Sequence, residues 1–217
     1  MLDLAFLRLR PFDAVRTTGF IVQLDGEEYF LSGRCNVTGM PFINNDRIVI
    51  LNVRLTDAGE DWYCGYKYND VKSLFVPFGQ PDGTLILTFP MSGCALEVRR
   101  EEEGNRIYHD DRGACMPQSA PGVKVLRVDA CHYMDWHSRH IERVARVAFK
   151  TILASGSSGG CDFQHTIICV KQGHYWKVYN NASSSFYKLD PYTLEKTGED
   201  YYQAKDYIQY ELGCFPD

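Results

Sequence analysis

The chain has 217 residues, of which 45% are hydrophobic, and its formal net charge is −5 at pH 7. This length and composition suffice for one domain with a full core, and we expect a single domain over residues 1–217. The acidic balance argues against broad nucleic-acid binding, which usually needs a basic surface. No apolar run approaches the roughly 18–20 residues that a membrane span needs. We therefore expect a monomer that binds neither nucleic acid nor a membrane.

Two features bear on the cellular compartment. The first ten residues are rich in leucine, but Asp3 interrupts them and no extended apolar segment or cleavage site follows, so they do not form a convincing Sec signal. The eight cysteines include no CxxC pair. Because the chain is longer than the usual disulfide-stapled scaffold, we expect most of these cysteines to be buried free thiols.

Hydrophobic patterns predict strands over most of the chain. Residues 19–31 are predicted to form a hairpin, because Asp25-Gly26 is a strong turn signal between two apolar runs. Further strands are predicted at residues 47–55, 62–68, 84–89 and 123–129, and a second hairpin at residues 165–170 and 175–179.

Two helices are predicted. Apolar residues at helical spacing indicate one long helix over residues 135–154, with a stripe of arginines and a lysine on its other side. A short acidic helix is predicted over residues 200–212. Strands that both precede and follow the long helix favour a mixed α/β (α+β) domain.

The most informative feature is the stretch from Cys94 to His109, which are fifteen residues apart and are predicted to lie on the two strands of one hairpin. Ser92 and Gly93 form a tight step that presents the thiol, and their backbone NH groups are candidates to face a reacting oxygen. Cross-strand neighbours in a hairpin lie within reach of one another. A cysteine paired with a histidine is the minimum needed for nucleophilic acyl chemistry. The alternative is a buried structural cysteine with an unrelated histidine.

The segment from Thr88 to Cys94 carries a family resemblance. Its residues are Thr88-Phe89-Pro90-Met91-Ser92-Gly93-Cys94, and a short strand, a turn and His109 follow. This order resembles the motif of the cytotoxic necrotizing factor and Burkholderia lethal factor family of cysteine-dependent glutamine deamidase toxins. Thr88 stands six residues before Cys94, where a threonine completes the Thr–Cys–His set of the lethal factor. The resemblance covers residues 85–110, with Met91 in place of an expected leucine and Pro90 as a departure from the pattern.

The resemblance implies a fold, an activity and a setting. The implied fold is a sandwich of mixed β-sheets flanked by helices. The implied activity is conversion of a glutamine side chain of a host protein to glutamate, with Cys94 as nucleophile, His109 as general base and acid, Thr88 as the residue that orients the imidazole, and no cofactor. GTPases and translation factors are the candidate targets. The protein would be made in the bacterial cytoplasm and then secreted or delivered to the host cytosol.

A second candidate site lies later in the chain. Cys161 follows a glycine-rich loop, and His165 or His174 could serve it. The two strands that carry His165 and Asn180 resemble the His and Asn strands of papain-like peptidases. Against this reading, Cys161 precedes His165 by only four residues and does not begin a long helix.

Two further readings stay open. Cys131, His132, His137 and His140 cluster within ten residues, but their spacing is not that of a structural zinc site, so we expect no bound metal. The chain could also be a non-catalytic binding or immunity domain in which every cysteine is structural. Glu101, Glu102 and Glu103 form a charge run in the hairpin turn that we expect to be solvated; we also expect it beside the Cys94 site, where it could help to select substrate.

Overall fold

A computed structural model describes residues 4–26, 29–43, 45–134, 158–190, 192–193, 195–204 and 209–217. Within these ranges, the backbone alone is described for residues 158–163, 186, 188 and 196–204. The predicted helix at residues 135–154 lies outside the described residues, and so do His137 and His140.

Strands dominate the described chain. The helices are α1 (Leu4–Leu9), α2 (Pro11–Thr17) and α3 (Ala130–Met134). The strands are β1 (Gly19–Leu24), β2 (Gly33–Phe42), β3 (Asn45–Leu55), β4 (Asp61–Cys64), β5 (Val71–Pro77), β6 (Leu85–Thr88), β7 (Ala95–Arg100), β8 (Gly104–Asp110), β9 (Val123–Val128), β10 (Ser158–Gln172), β11 (Tyr175–Leu189), β12 (Lys196–Ala204) and β13 (Glu211–Pro216).

The strands form two sheets. The larger has nine strands in the order β1-β3-β2-β4-β6-β10-β11-β12, with β13 also paired to β11. It is mixed, because β1 pairs with β3 and β4 with β6 in parallel while its other pairs are antiparallel. The smaller sheet has the order β5-β8-β7-β9 and is antiparallel throughout.

Each face of the larger sheet buries a separate hydrophobic core. The first core lies between the two sheets and contains Trp62, Cys64, Leu74, Val76, Ile86, Met91, Cys94, Leu96, Val98, Ile107, Val128, Tyr133, Ile167, Cys169, Trp176, Val178 and Phe215. The second core lies on the opposite face, where Leu7 of α1 and Ala14 and Val15 of α2 cover the sheet. The alternation of Leu85 and Leu87 on one face of β6 with Ile86 on the other shows how a strand buried on both sides supplies both cores.

This architecture confirms the expected class, an α+β sandwich made largely of strands. The predicted strands at residues 47–55, 84–89 and 123–129 are confirmed, as are the hairpins around Cys94–His109 and at residues 165–179. No helix among the described residues is long and apolar enough to cross a membrane.

Two local predictions are wrong. The turn at Asp25-Gly26 does not return a hairpin strand, because β1 pairs in parallel with β3 and its first four residues are buried. Where its residues are described, the predicted helix at residues 200–212 is wrong, because residues 200–204 belong to β12 and residues 211–212 to β13. Both strands lie along the edge of the fifteen-residue strand β11, whose exposed backbone groups require partners.

Candidate active site

The β7–β8 hairpin places Cys94 and His109 on the same face. Leu96 pairs with His109 in the antiparallel register, and Cys94 comes directly before β7. Side chains alternate along a strand, so Cys94 and Leu96 share the face that packs against the larger sheet, and Ile107 and His109 share it on β8. Cys94 and His109 are therefore diagonal neighbours at one end of the core between the sheets, the arrangement that the sequence predicts.

His109 is fully buried and electrically neutral at pH 7. Burial lowers the pKa of its imidazole from 6.5 to about 4, although backbone groups of Gly65 and Cys64 and the charge of Asp111 favour the protonated ring. Neither ring nitrogen makes a hydrogen bond of normal geometry with a described residue. Buried polar atoms in folded proteins nearly always have a hydrogen-bond partner, so the two ring nitrogens of His109 are an exception.

Cys94 is 3% exposed and carries a thiol rather than a thiolate. Burial raises the pKa of the Cys94 thiol, Asp111 raises it further, and the backbone of Ser92 and Arg112 partly offsets this by favouring the thiolate. The thiol donates a hydrogen bond to Asp111 Oδ1 across 3.8 Å, not to His109. The resting site is therefore a neutral thiol beside a neutral imidazole, and it is not a thiolate–imidazolium pair.

The loop before Cys94 is anchored to the larger sheet. Met91 forms a β-bridge with His165 through two backbone hydrogen bonds of 2.6 and 3.3 Å. Gly93 has a φ of +91°, a left-handed conformation that favours glycine, and a Cβ there would meet open space. Ser92 is exposed, so the Ser-Gly step forms the solvent side of the site.

Asp111 lies beside the thiol and is held in place. It begins a short 3₁₀ turn, Asp111–Gly113, directly after β8. Its carboxylate accepts a 2.7 Å hydrogen bond from the backbone NH of Asn69. Burial and the nearby charge of Asp111 raise the pKa of the Tyr66 hydroxyl to about 12. The ring of Tyr66 lies 5.5 Å from that of His109, centroid to centroid. Asp111 stands two residues after His109 in the chain, and no sequence motif identifies it as part of the site.

Thr88 faces the same layer from the larger sheet. It pairs with Cys64 in the parallel β4–β6 register, and the backbone of Cys64 in turn lies close to the ring of His109. Thr88 Oγ1 accepts a 3.1 Å hydrogen bond from the NH of Ile167. Its own hydroxyl hydrogen remains to be donated. Among the described residues no hydrogen bond joins Thr88 to His109. The role of Thr88 in orienting the imidazole therefore stays a prediction.

Three residues that the expected Thr–Cys–His set does not include adjoin the site. The hydroxyl of Tyr133 donates a 2.7 Å hydrogen bond to the carbonyl of Cys94, and its ring lies 5.0 Å from that of His165. His165 Nδ1 lies 3.0 Å from Asn180 Oδ1, on the neighbouring strand. Asn180 Nδ2 donates to the carbonyl of Tyr133 across 3.4 Å. The sequence indicated His165 and Asn180 through their positions on two paired strands. Nothing in the sequence indicated that Tyr133 would adjoin the site.

The structure does not assemble the Cys161 site. Cys161 and His165 lie on the same strand, β10, and a strand rises about 3.3 Å per residue, so their backbones are roughly 13 Å apart. His174 lies in the turn between β10 and β11, at the far end of the strand from Cys161. His165 therefore belongs to the Cys94 neighbourhood instead.

The other polar clusters lie elsewhere. No group of three metal-ligating side chains occurs within the described residues, and His132 Nδ1 accepts a hydrogen bond from the NH of Asp129. The turn with Glu101 lies at the opposite end of the β7–β8 hairpin from Cys94, and Glu101 is paired with Arg106. The expectation that this acidic turn lies beside the site is therefore wrong, because the full length of β7 and β8 separates the turn from Cys94.

The fold and the site define an α+β sandwich with a cysteine, a histidine and a carboxylate gathered at one end of the core between its sheets. No protein-family model matches the chain, and no curated protein is significantly similar to it.

Proposed function

We propose that the protein is a cysteine-dependent glutamine deamidase of the cytotoxic necrotizing factor and lethal factor type. Its substrate would be a glutamine side chain of a host protein, with GTPases and translation factors as the candidate targets, and it would reach the host cytosol by secretion or delivery. The observation that carries the proposal is the placement of Cys94 and the unsatisfied imidazole of His109 on one inner face of the hairpin. The reaction needs no cofactor.

The first half of the reaction transfers the acyl group to the enzyme. Neutral His109 takes the thiol proton, and the sulfur of Cys94 attacks the carboxamide carbon to form a C–S bond. Backbone NH groups of the Ser92-Gly93 loop stabilise the oxyanion. Protonated His109 then gives its proton to the nitrogen, the C–N bond breaks and ammonia leaves.

The second half releases the product. A water molecule gives a proton to His109 and attacks the thioester carbon, a C–O bond forms, and the C–S bond breaks as the sulfur recovers a proton. Glutamine has then become glutamate at the cost of one water, with one ammonia released. If an amine attacked instead of water, the same intermediate would give a transglutaminase. Thr88 would hold the imidazole through its free hydroxyl hydrogen, as the third member of a triad does.

A second candidate function rests on the His165–Asn180 pair. His165 Nδ1 lies 3.0 Å from Asn180 Oδ1, and papain-type cysteine peptidases also combine a histidine with an asparagine. The Met91–His165 bridge brings the Cys94 loop to this strand, so Cys94 would be the nucleophile of such a peptidase. The two candidates differ in which histidine is essential, His109 or His165.

The test compares His109→Met with His165→Gln under the same conditions. A deamidase requires His109 and adds about one mass unit to a host-protein glutamine, since NH₂ is exchanged for OH. A peptidase requires His165 and produces new cleavage products instead.

A further inference from the structure

The carboxylate of Asp111 occupies an unusual position for a residue beside a nucleophilic thiol. It is 5% exposed, and its Oδ1 lies 3.8 Å from the sulfur of Cys94. A negative charge there opposes formation of the thiolate, so the carboxylate does not serve to activate the nucleophile. A 2.7 Å hydrogen bond from the backbone NH of Asn69 to its other oxygen, Oδ2, holds it in this position. A charge that hinders thiol ionisation, yet is firmly fixed, requires another role.

We propose that Asp111 determines specificity: its carboxylate accepts an N–H of the substrate carboxamide at the reacting carbon and repels a carboxylate at the same place. This inference rests on the proposed function, since it names the group that distinguishes glutamine from glutamate at that site. Among the described residues, Arg112, the next cation along the chain, directs its side chain to the ring and hydroxyl of Tyr68.

The thiol hydrogen bond marks where the amide would bind. In the resting site Asp111 Oδ1 accepts the S–H of Cys94. When His109 removes that proton, the acceptor position at Oδ1 becomes free. Because Oδ1 is 3.8 Å from the sulfur, a carboxamide whose carbon contacts the sulfur can turn its nitrogen to within hydrogen-bond range of this oxygen. An ionised acceptor gives the stronger kind of hydrogen bond.

The same charge acts on the product. Hydrolysis of the thioester leaves a glutamate carboxylate within a few ångströms of Asp111. Two like charges at such a distance repel strongly where water is largely excluded. The product is expelled and the reverse attack on glutamate is suppressed. Among the described residues, the neighbouring groups Tyr66, Tyr133 and His109 are neutral at pH 7 and do not offset this repulsion.

The experiment uses two alkylating reagents that differ as the substrate and product do. Iodoacetamide carries a carboxamide and iodoacetate a carboxylate of the same size. The native protein is treated with each reagent at about pH 9, where a thiol with a raised pKa still ionises in part. Peptide mass spectrometry then gives the alkylation rate of every cysteine. The exposed Cys131 is an internal reference. Because one thiolate attacks both reagents, the ratio of the two rates cancels the effect of pKa.

In the wild-type protein we expect the iodoacetamide-to-iodoacetate ratio at Cys94 to exceed that at Cys131 roughly tenfold or more. Asp111→Asn should bring the Cys94 ratio down to the Cys131 value. The matched control Asp70→Asn removes a charge from the neighbouring turn, where the carboxylate pairs with Lys67, and should leave the ratio high.

Three results would overturn the proposal. They are an equal ratio at Cys94 and Cys131 in the wild type, a ratio unchanged by Asp111→Asn, and a Cys94 that reacts with neither reagent. The wild-type comparison stands even where Asp111→Asn does not fold. The alkylation experiment uses no deamidase substrate. An equal iodoacetamide-to-iodoacetate ratio in a protein that still deamidates glutamine would therefore refute the role of Asp111 and leave the proposed deamidase activity standing.

Discussion

The hydroxyl of Tyr133 donates a 2.7 Å hydrogen bond to the carbonyl oxygen of Cys94, and both groups are buried. The helix α3 thereby fixes the backbone of the candidate nucleophile, while the Met91–His165 bridge fixes the loop before it. The position of the sulfur therefore depends on two contacts that lie outside the β7–β8 hairpin itself.

Tyr133→Phe removes this hydrogen bond and leaves the Cys94 carbonyl without its partner. We expect a loss of about 1–3 kcal/mol in the free energy of unfolding, the usual cost of an unsatisfied buried polar group, together with slower deamidation. Urea unfolding followed by tryptophan fluorescence measures the first effect. Tyr192→Phe, at a position 93% exposed, is the control and should change neither quantity. Wild-type stability in Tyr133→Phe would contradict the assigned contact.

The low pKa of His109 predicts a specific dependence of stability on pH. The unfolded chain takes up a proton near pH 6.5, whereas the folded protein does so only near pH 4. The unfolded state therefore binds more protons between these values, and the stability present above pH 6.5 is lost as the pH falls towards 4. A full shift of this size corresponds to about 3 kcal/mol. Urea unfolding at pH 7 and at about pH 4.5 should show most of this loss.

His109→Met tests the origin of that loss. Methionine fills the site without a titratable group and without unsatisfied nitrogens, so the variant should be at least as stable as the wild type at pH 7 and should lose less stability on acidification. It should also have no deamidase activity. An equally steep acid loss in this variant would assign the effect to other groups. Retained activity would remove His109 from the mechanism.

Thr88 offers a test of positioning against structure. Thr88→Val leaves the Ile167 NH unpaired and should cost about 1–3 kcal/mol of stability. It also removes the hydroxyl hydrogen that would orient His109, so deamidation by the folded fraction should fall roughly tenfold or more.

Thr88→Ser keeps the hydroxyl and should restore most of the rate, a rescue that a purely structural role in packing would not require. Thr18→Val is a matched control, because Thr18 is buried, its hydroxyl has no hydrogen-bond partner and it lies at the end of α2. Equal rates per folded molecule in Thr88→Val and the wild type would refute the positioning role.

Local sequence patterns predicted the elements whose partners are close in the chain. The turn residues between Cys94 and His109, and the alternating apolar residues on either side, were enough to predict the hairpin and the shared face. The β10–β11 hairpin was predicted for the same reason. The parallel pairing of β1 with β3 was not predicted. An apolar run such as Phe20-Ile21-Val22 has the same sequence pattern whichever strand it pairs with.

The site was predictable only in part, because its electrostatics depend on burial. The motif around Cys94 identified a thiol and an imidazole, but no pattern indicates that His109 would be fully buried and neutral or that the thiol would face Asp111. Tyr133 comes from a helix that is distant in sequence, and its contact with Cys94 exists only once the two sheets have packed.

The most direct test of the account is mass spectrometry of host-cell lysate treated with the wild-type protein or with Cys94→Ser. Cys131→Ser, which replaces an exposed cysteine, is the matched control. We expect a gain of about one mass unit on a glutamine of a specific host protein, present with the wild type and with Cys131→Ser and absent with Cys94→Ser. New cleavage products that depend on Cys94, without that gain, would contradict the deamidase in favour of the peptidase. The absence of any change that depends on Cys94 would contradict both and favour a binding domain.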